Sequence, residues 1–371
     1  MSFKIDCESF SENIPTLTIE LFGHYSIDGE SYHADLSQMK YYIPPPDFDN
    51  VSFDLKNFTS TRSNLPSYIK LDDMLRWISE NFNRLKKPLS AQGDQWLDID
   101  FICRRGVLRT LLCTPYKKKD KWIICAAKYR GTIYLCEFYT NERERQHANK
   151  TAEEKFGSWG RKFEQYMVAD QPSHKPDPSV PLNECAKFHC IFKANFGDHS
   201  LLYVAEIDGI LSEQCITDTL IGKTFELIEL KTMSMEQYNA IGTVGGKYDT
   251  IFVEKAISWW SQNYLAKVEK IICGLRKQWE VKAIKEYPTH NLLKLSKPCC
   301  NSDKCKMFCK MFLDNVKRIV IKDYSECMYK FYFDGSSDVI NYSEIASNDE
   351  TYHFFQSSFV HKAEYYNSTF Q

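Results

Sequence analysis

Two segments of this 371-residue chain begin like half-buried strands and end in charge. Residues i and i+2 of a strand point to one face. Over 200–208 that rule puts Leu202, Val204, Glu206 and Asp208 on one side and Tyr203, Ala205 and Ile207 on the other. Over 224–232 it puts Phe225, Leu227, Glu229 and Lys231 together. Each apolar face therefore stops abruptly in two charged groups. Burying such groups unpaired is costly, so a fold that uses both strands is stabilised by bringing their charged ends to one sheet edge. Three carboxylates gathered there suit a hard, oxygen-preferring divalent cation, Mg²⁺ or Mn²⁺. The lysine adds a positive point charge beside a reacting phosphate.

The rest of the chain alternates strand and helix patterns. Residues 1–70 read as irregular, with an apolar stretch at 16–22 and an extended Pro44-Pro45-Pro46 run, because each ring fixes φ. Leu71, Met74, Leu75, Ile78, Phe82 and Leu85 share one helical face over 71–85. The apolar runs 122–127 and 132–138 flank Arg130-Gly131, a hairpin pattern. A helix is expected over 151–169, a loop over 171–181 with its four prolines, and strands over 188–196, 200–208 and 224–232. Beyond them come a helix at 248–265, a strand at 268–275 and a helix at 303–316. Both flanks of the proline-rich loop alternate in this way, which favours one α/β domain over 1–371, with mixed β-sheets flanked by helices and tails at 1–15 and 360–371.

Composition narrows the function classes. At 43% apolar residues the chain can build a large core, and a net charge of −2 creates no overall field for nucleic acid. A polyanion site then has to be a local basic groove or a metal cluster. The N-terminus lacks the basic and apolar regions of a signal peptide, so the 14 cysteines are expected as reduced thiols. No uncharged apolar run approaches the ~20 residues that span a bilayer. These features point to a soluble protein of the nucleus or cytosol, with no membrane contact.

Asp208, twenty intervening residues, then Glu229-Leu230-Lys231 is also the bare spacing of the restriction-enzyme-like nuclease core. Alone, that spacing is equally well two strand ends with solvated charges. Glu164, beside Phe163 at the border of an apolar helix face, reads by itself as a solvated rim residue, and Gln262 as an ordinary polar helix residue. Arg105 in Cys103-Arg104-Arg105-Gly106 is either an ion-pair partner or a phosphate clamp, a role its planar fork of donors suits.

In chain order these residues resemble the DXO family of decapping exoribonucleases, which includes the Rai-type proteins. The similarity runs from about Thr16 to Lys330. It is carried by Tyr41-Tyr42-Ile43-Pro44-Pro45-Pro46, by Arg105-Gly106 with Leu111-Leu112-Cys113-Thr114-Pro115-Tyr116, and by Trp159-Gly160-Arg161-Lys162-Phe163-Glu164. The two strand motifs, Trp259-Trp260-Ser261-Gln262 and Gly274-Leu275-Arg276 complete it. The resemblance implies a single domain with a restriction-nuclease-like carboxylate–lysine core in a deep pocket. It implies that Glu164, Glu206, Asp208, Glu229 and the main-chain carbonyl of Leu230 hold two divalent ions. Glu206, Asp208, Glu229 and Lys231 would then be catalytic, and Arg105, Glu164, Lys231 and Gln262 would bind substrate. The implied substrates are RNA 5′ ends: incompletely capped, NAD-capped, triphosphate or monophosphate. The implied location is the nucleus. The alternatives are a catalytically weak protein that binds RNA 5′ ends or a nuclear 5′→3′ exonuclease, and a restriction-like DNA nuclease. One departure stands out: Arg161 occupies a place where the family has an aromatic or apolar residue.

Two further signals are discounted. Cys299, Cys300, Cys305 and Cys309 lack the paired short arms of a zinc site. Cys305 and Cys309, one helical turn apart, are expected to pack as small apolar residues, and no zinc is expected. Lys117-Lys118-Lys119-Asp120-Lys121 reads as a solvated turn before a strand rather than as a nuclear signal.

Overall fold

A computed structural model describes the chain except residues 6–12, 62–69, 88–94, 118, 149–151, 242–248, 296–299, 336 and 370–371. Side chains are also undescribed at 146–148, 152–156, 249–252 and 367–369. Two mixed sheets dominate. The larger runs, strand by strand, Ser2–Lys4, Val339–Ile345, Met328–Phe333, Trp122–Tyr129, Thr132–Phe138, Phe101–Arg104, His199–Glu206, Lys187–Phe196, Leu17–Asp28 and Ser31–His33. The smaller runs Val168–Ala169, Tyr41–Tyr42, Gly209–Leu211, Glu226–Ser234, Lys270–Lys277, Glu280–Pro288 and Phe53–Asp54.

Strand alternation sorts the core. Leu201, Tyr203, Ala205 and Ile207 share a hydrophobic cluster with Met233, Ile271, Cys273 and Leu275 of the smaller sheet. The helices Arg105–Cys113, Asp249–Tyr264 and Ser302–Ile319 add Leu111, Ile257 and Phe312 to it. Leu202 and Val204, one residue out of phase, join a second cluster around Trp77 and Phe355. The helix Ala152–Met167 packs Phe163 and Met167 against Ile228, Leu230 and Ile272 of the smaller sheet. Among the described residues no helix is long and apolar enough to cross a membrane.

The fit beneath that helix is tight. A Cβ on Gly274 would lie 2.7 Å from Phe163 Cε2, and Phe163 is fully buried. Gly274→Ala is therefore expected to destabilise the protein by ~1–3 kcal/mol through overpacking. Urea denaturation checks this; an unchanged midpoint would contradict it.

Several expected boundaries move. The segment 1–70 is not irregular, because Leu17–Asp28 forms a twelve-residue strand. Its pairing with Lys187–Phe196 slips by one residue between Ile191, opposite Gly23, and Phe192, opposite Leu21. Such a bulge exchanges the two faces: Ile19 joins the inter-sheet cluster while Tyr25 and Ile27 join the other. The helix expected over 71–85 is two, Asp72–Glu80 and Phe82–Leu85, divided at Asn81, whose side chain donates to the Trp77 carbonyl at 3.0 Å. The segments expected as tails carry structure. Ser2–Lys4 pairs with residues 339–341, and the helix Ser357–Thr369 buries Phe359 and Ala363.

Cys305 and Cys309 lie on Ser302–Ile319 and are both buried in the inter-sheet cluster; Cys299 lies outside the described residues. Elemental analysis of the purified protein is expected to find no zinc. Stoichiometric zinc that disappears in a Cys305→Ser, Cys309→Ser variant would overturn that.

Candidate active site

The chain leaves the large sheet at Glu206 and enters the small one at Gly209. Asp208 therefore sits where the sheets meet, instead of extending the strand that ends at Glu206. Gly209 pairs opposite Ile228, and a Cβ there would come within 3.3 Å of the Lys40 carbonyl and of Val168. This close approach lets Asp208 Oδ2 accept the Leu230 N–H at 2.7 Å. Leu230, expected to act through its carbonyl, enters the observed hydrogen bonds through its N–H.

Glu229 is the most buried of the acids, 1% exposed. Its Oε1 accepts from the Lys231 ammonium and from Gln262 Nε2, the latter at 2.8 Å. Its Oε2 makes no hydrogen bond, with Arg105 Nη1 3.6 Å away. Arg105 Nη2 donates to the Glu206 carbonyl at 3.1 Å. Glu164, on the helix over the small sheet, lines a cavity of about 420 Å³ together with Glu206 and Asp208. Five segments far apart in sequence thus converge and bring together Arg105, Glu164, Glu206, Asp208, Glu229, Lys231 and Gln262.

The charges interact strongly. Burial, opposed by Lys231 and reinforced by Glu206 and Glu229, pushes Glu164 up to about 7. Burial followed by Glu229 and Glu164 raises Asp208 well above the carboxylate range. Burial acts against the Lys231 charge, but Glu229, Asp208 and Glu164 outweigh it and raise that pKa. Burial also works against Glu206; Lys187 (3.8 Å away), His189, Arg161 and Arg104 prevail and lower it. The raised Glu164 and Asp208 mark acids that are buried and repel one another. The unbonded Glu229 Oε2 and the all-oxygen donor set fit a hard divalent cation. The carboxylates are not drawn together as in a filled cage. Among the described residues, the one group of three or more acidic, His or Cys ligand atoms within 4.8 Å of one another is Asp198, His199 and Asp314. Lys310 already lies 2.9 Å from both of those aspartates.

Glu164 sets a pH dependence for the metal-free protein. Its folded pKa of about 7 lies above the ordinary 4.5. Between those values the folded chain keeps a proton that the unfolded chain has released, so stability falls as pH rises through the window. In EDTA, the melting-temperature difference between wild type and Glu164→Gln is expected to grow in favour of the variant from pH 4.5 to above 7. A difference that does not vary with pH would contradict this.

Sequence reasoning missed what builds the cavity wall. Lys162 is 1% exposed, yet its ammonium meets neutral acceptors: Gln165 Oε1 at 2.8 Å and the Pro178 carbonyl at 2.5 Å. Gln165 Nε2 donates to the Val180 carbonyl at 3.0 Å, and Arg161 donates to the Glu184 carbonyl. Lys162 and Gln165 thereby tie the proline-rich segment to the Glu164 helix, and Arg161 ties down Glu184 just beyond it. This gives Arg161 a packing role as well as a charge beside Glu164 and Glu206. Arg104 Nη2, 3.3 Å from His189 Nε2, was also missed; burial, then Arg104, drives that histidine's pKa down to about 3. The sequence offers wall material in the aromatic and basic residues around Arg105, Trp159 and Trp259, but not in the polar pair Arg161-Lys162 before Phe163.

Known proteins share this architecture. The human decapping and exoribonuclease protein is 30% identical over 322 residues, 83% of this chain and 77% of its own length. The Drosophila melanogaster decapping and exoribonuclease protein Rai1 is 29% identical over 256 residues, 68% of this chain and 66% of its own. The crystal structure of Candida albicans Rai1 in complex with pU5 and Mn²⁺ superposes with a TM-score of 0.77 at 17% identity, covering 98% of this chain and all of that one. Scheffersomyces stipitis Rai1, in complex with (3′-NADP)⁺ and calcium ion, also scores 0.77 at 16% identity over 98% of this chain and all of that one. The family model described as RAI1 like PD-(D/E)XK nuclease matches residues 20–360, and the chain accordingly belongs to that family of hydrolases.

Proposed function

We propose that the protein is a metal-dependent decapping nuclease that hydrolyses RNA at its 5′ end. The observation that carries this reading is the convergence of Glu164, Glu206, Asp208 and Glu229 with Lys231 at the junction of the two sheets. The names of the relatives support it, as do the solved relatives that hold pU5 with Mn²⁺ and (3′-NADP)⁺ with calcium.

Two divalent ions, Mg²⁺ or Mn²⁺, held by those four carboxylates and the Leu230 carbonyl would supply Lewis acidity and a water of lowered pKa. This chain's own groups do the positioning. The raised pKa of Lys231 keeps it a cation, so it stabilises negative charge growing on the phosphate and orients the attacking water. Gln262 holds the Glu229 carboxylate in place through one oxygen. Arg105, buried and forked, binds a cap or backbone phosphate. The wall tied down by Arg161, Lys162 and Gln165 excludes bulk water from one side.

The activities covered are removal of incomplete, unmethylated or NAD caps, pyrophosphate release from 5′-triphosphate RNA and 5′→3′ trimming. Such activities fit a role in RNA 5′-end quality control in the nucleus, beside a nuclear 5′→3′ exonuclease. The test is product analysis on RNAs identical except at the 5′ end. Metal-dependent products that change with the end are expected. An absence of product from every end would overturn the reading.

A further inference from the structure

A second cavity, of about 320 Å³, is lined by the far half of the Arg105 helix and by Ser258 of the Gln262 helix. Arg109 follows Arg105 by four residues, and Ser258 precedes Gln262 by four. On each helix the cavity residue therefore shares a face with the site residue, about 6 Å or one turn further along. The two helices pack directly: Cys113 Sγ is 3.3 Å from Ser261 Oγ and 3.9 Å from Ser258 Oγ. The seam between them thus runs from the carboxylates to this cavity.

The cavity's charge balance is positive in a chain whose net charge is −2. Each of its acids already has a cation: Lys117 on Asp120 at 3.3 Å, Lys121 on Glu142 at 3.0 Å and Arg143 on Glu137 at 3.0 Å. Thr110 also donates to Glu137, at 3.0 Å. Arg109 and Lys119 line the cavity with no acid partner among the described residues. Trp122, its one aromatic, is 2% exposed and donates to Thr114 Oγ1 at 3.1 Å, so the cavity offers no stacking face. Cations without a stacking face suit a nucleic-acid backbone and not its bases.

We propose that this cavity holds the phosphodiester backbone of single-stranded RNA downstream of the cut, with Arg109 and Lys119 binding the phosphates. The inference rests on the reading of the protein as a 5′-end nuclease and gives Lys119, one of the lysines of the 117–121 run, a role in it. It makes affinity depend on RNA length, since only strands long enough to run from the carboxylates along the seam reach the second cavity.

The test is fluorescence anisotropy of the full chain with labelled 5′-monophosphate RNAs of about two to ten nucleotides, in EDTA so that nothing is cut. Wild-type affinity is expected to rise with length. In Arg109→Gln, Lys119→Gln that gain is expected to shrink by ~5–10-fold, and the slope of log K against log salt to fall by ~0.7 for each phosphate no longer neutralised. A wild type without length dependence would overturn the proposal. So would a variant that keeps the full gain, or one that weakens short and long RNAs equally. Nucleotide release by the wild type with Mn²⁺ is followed separately. An inactive wild type that still binds by length defeats the nuclease reading alone, whereas an active one whose variant keeps the full gain defeats only this proposal.

Discussion

Glu206→Gln combined with Asp208→Asn is expected to abolish hydrolysis and leave the fold intact. Both substitutions keep size and shape while removing charge from the sheet junction. An amide oxygen at 208 can still accept the Leu230 N–H now held at 2.7 Å, so the junction keeps its hydrogen bond. Losing the Asp208 charge relieves its repulsion by Glu229 and Glu164. Losing the Glu206 charge removes a partner of Lys187, but the Glu206 side chain is 42% exposed and water replaces that pairing. The metal-free melting temperature should therefore stay near the wild-type value. Catalysis has no such substitute. Two of the four carboxylates lose their anionic oxygens, and removing a preorganised electrostatic group of this kind costs at least ~10²-fold in turnover. Turnover with Mg²⁺ or Mn²⁺, measured beside the melting temperature, decides the matter. Activity retained in the double variant would show that the chemistry lies elsewhere.

Four of the site residues were legible because a strand has a period of two. Glu206, Asp208, Glu229 and Lys231 each interrupt an apolar face, and that anomaly can be seen without a partner in view. Glu164 and Gln262 were not legible in that way. Each is a polar residue on a helix, where polar residues are common, and each acquires meaning only when the helix lands over the small sheet or against Glu229. For these two the ordered run of motifs, not local physics, carried the assignment. The strand Leu17–Asp28 was hidden for another reason. The slip between Ile191 and Phe192 sends Ile19 and Tyr25 to different cores, so no single alternation runs through the segment. The cavity wall was hidden because Lys162, a residue type found at surfaces, is buried against carbonyls that periodicity cannot register. The position of Asp208, outside the strand that ends at Glu206, follows from the transfer of the chain between sheets, which is a property of topology.

End specificity is the sharpest consequence of this architecture. Carboxylates and a lysine hydrolyse a phosphodiester without regard to where it lies in a strand. A requirement for an end has to come from the wall. Here the wall is the helix bearing Glu164, with the proline-rich segment fastened to it by Lys162 and Gln165, and Glu184 just beyond by Arg161. It encloses one side of the 420 Å³ cavity at the acids, so a strand entering from the junction would stop there instead of passing through. An open groove would instead admit any internal phosphate. The direct measurement is incubation of a linear 5′-monophosphate RNA and a circular RNA of the same sequence with protein and Mn²⁺, with the products resolved on a gel. Mononucleotides from the linear RNA and an intact circle are the predicted result; cleavage of the circle at a similar rate would contradict it and make the protein an endonuclease.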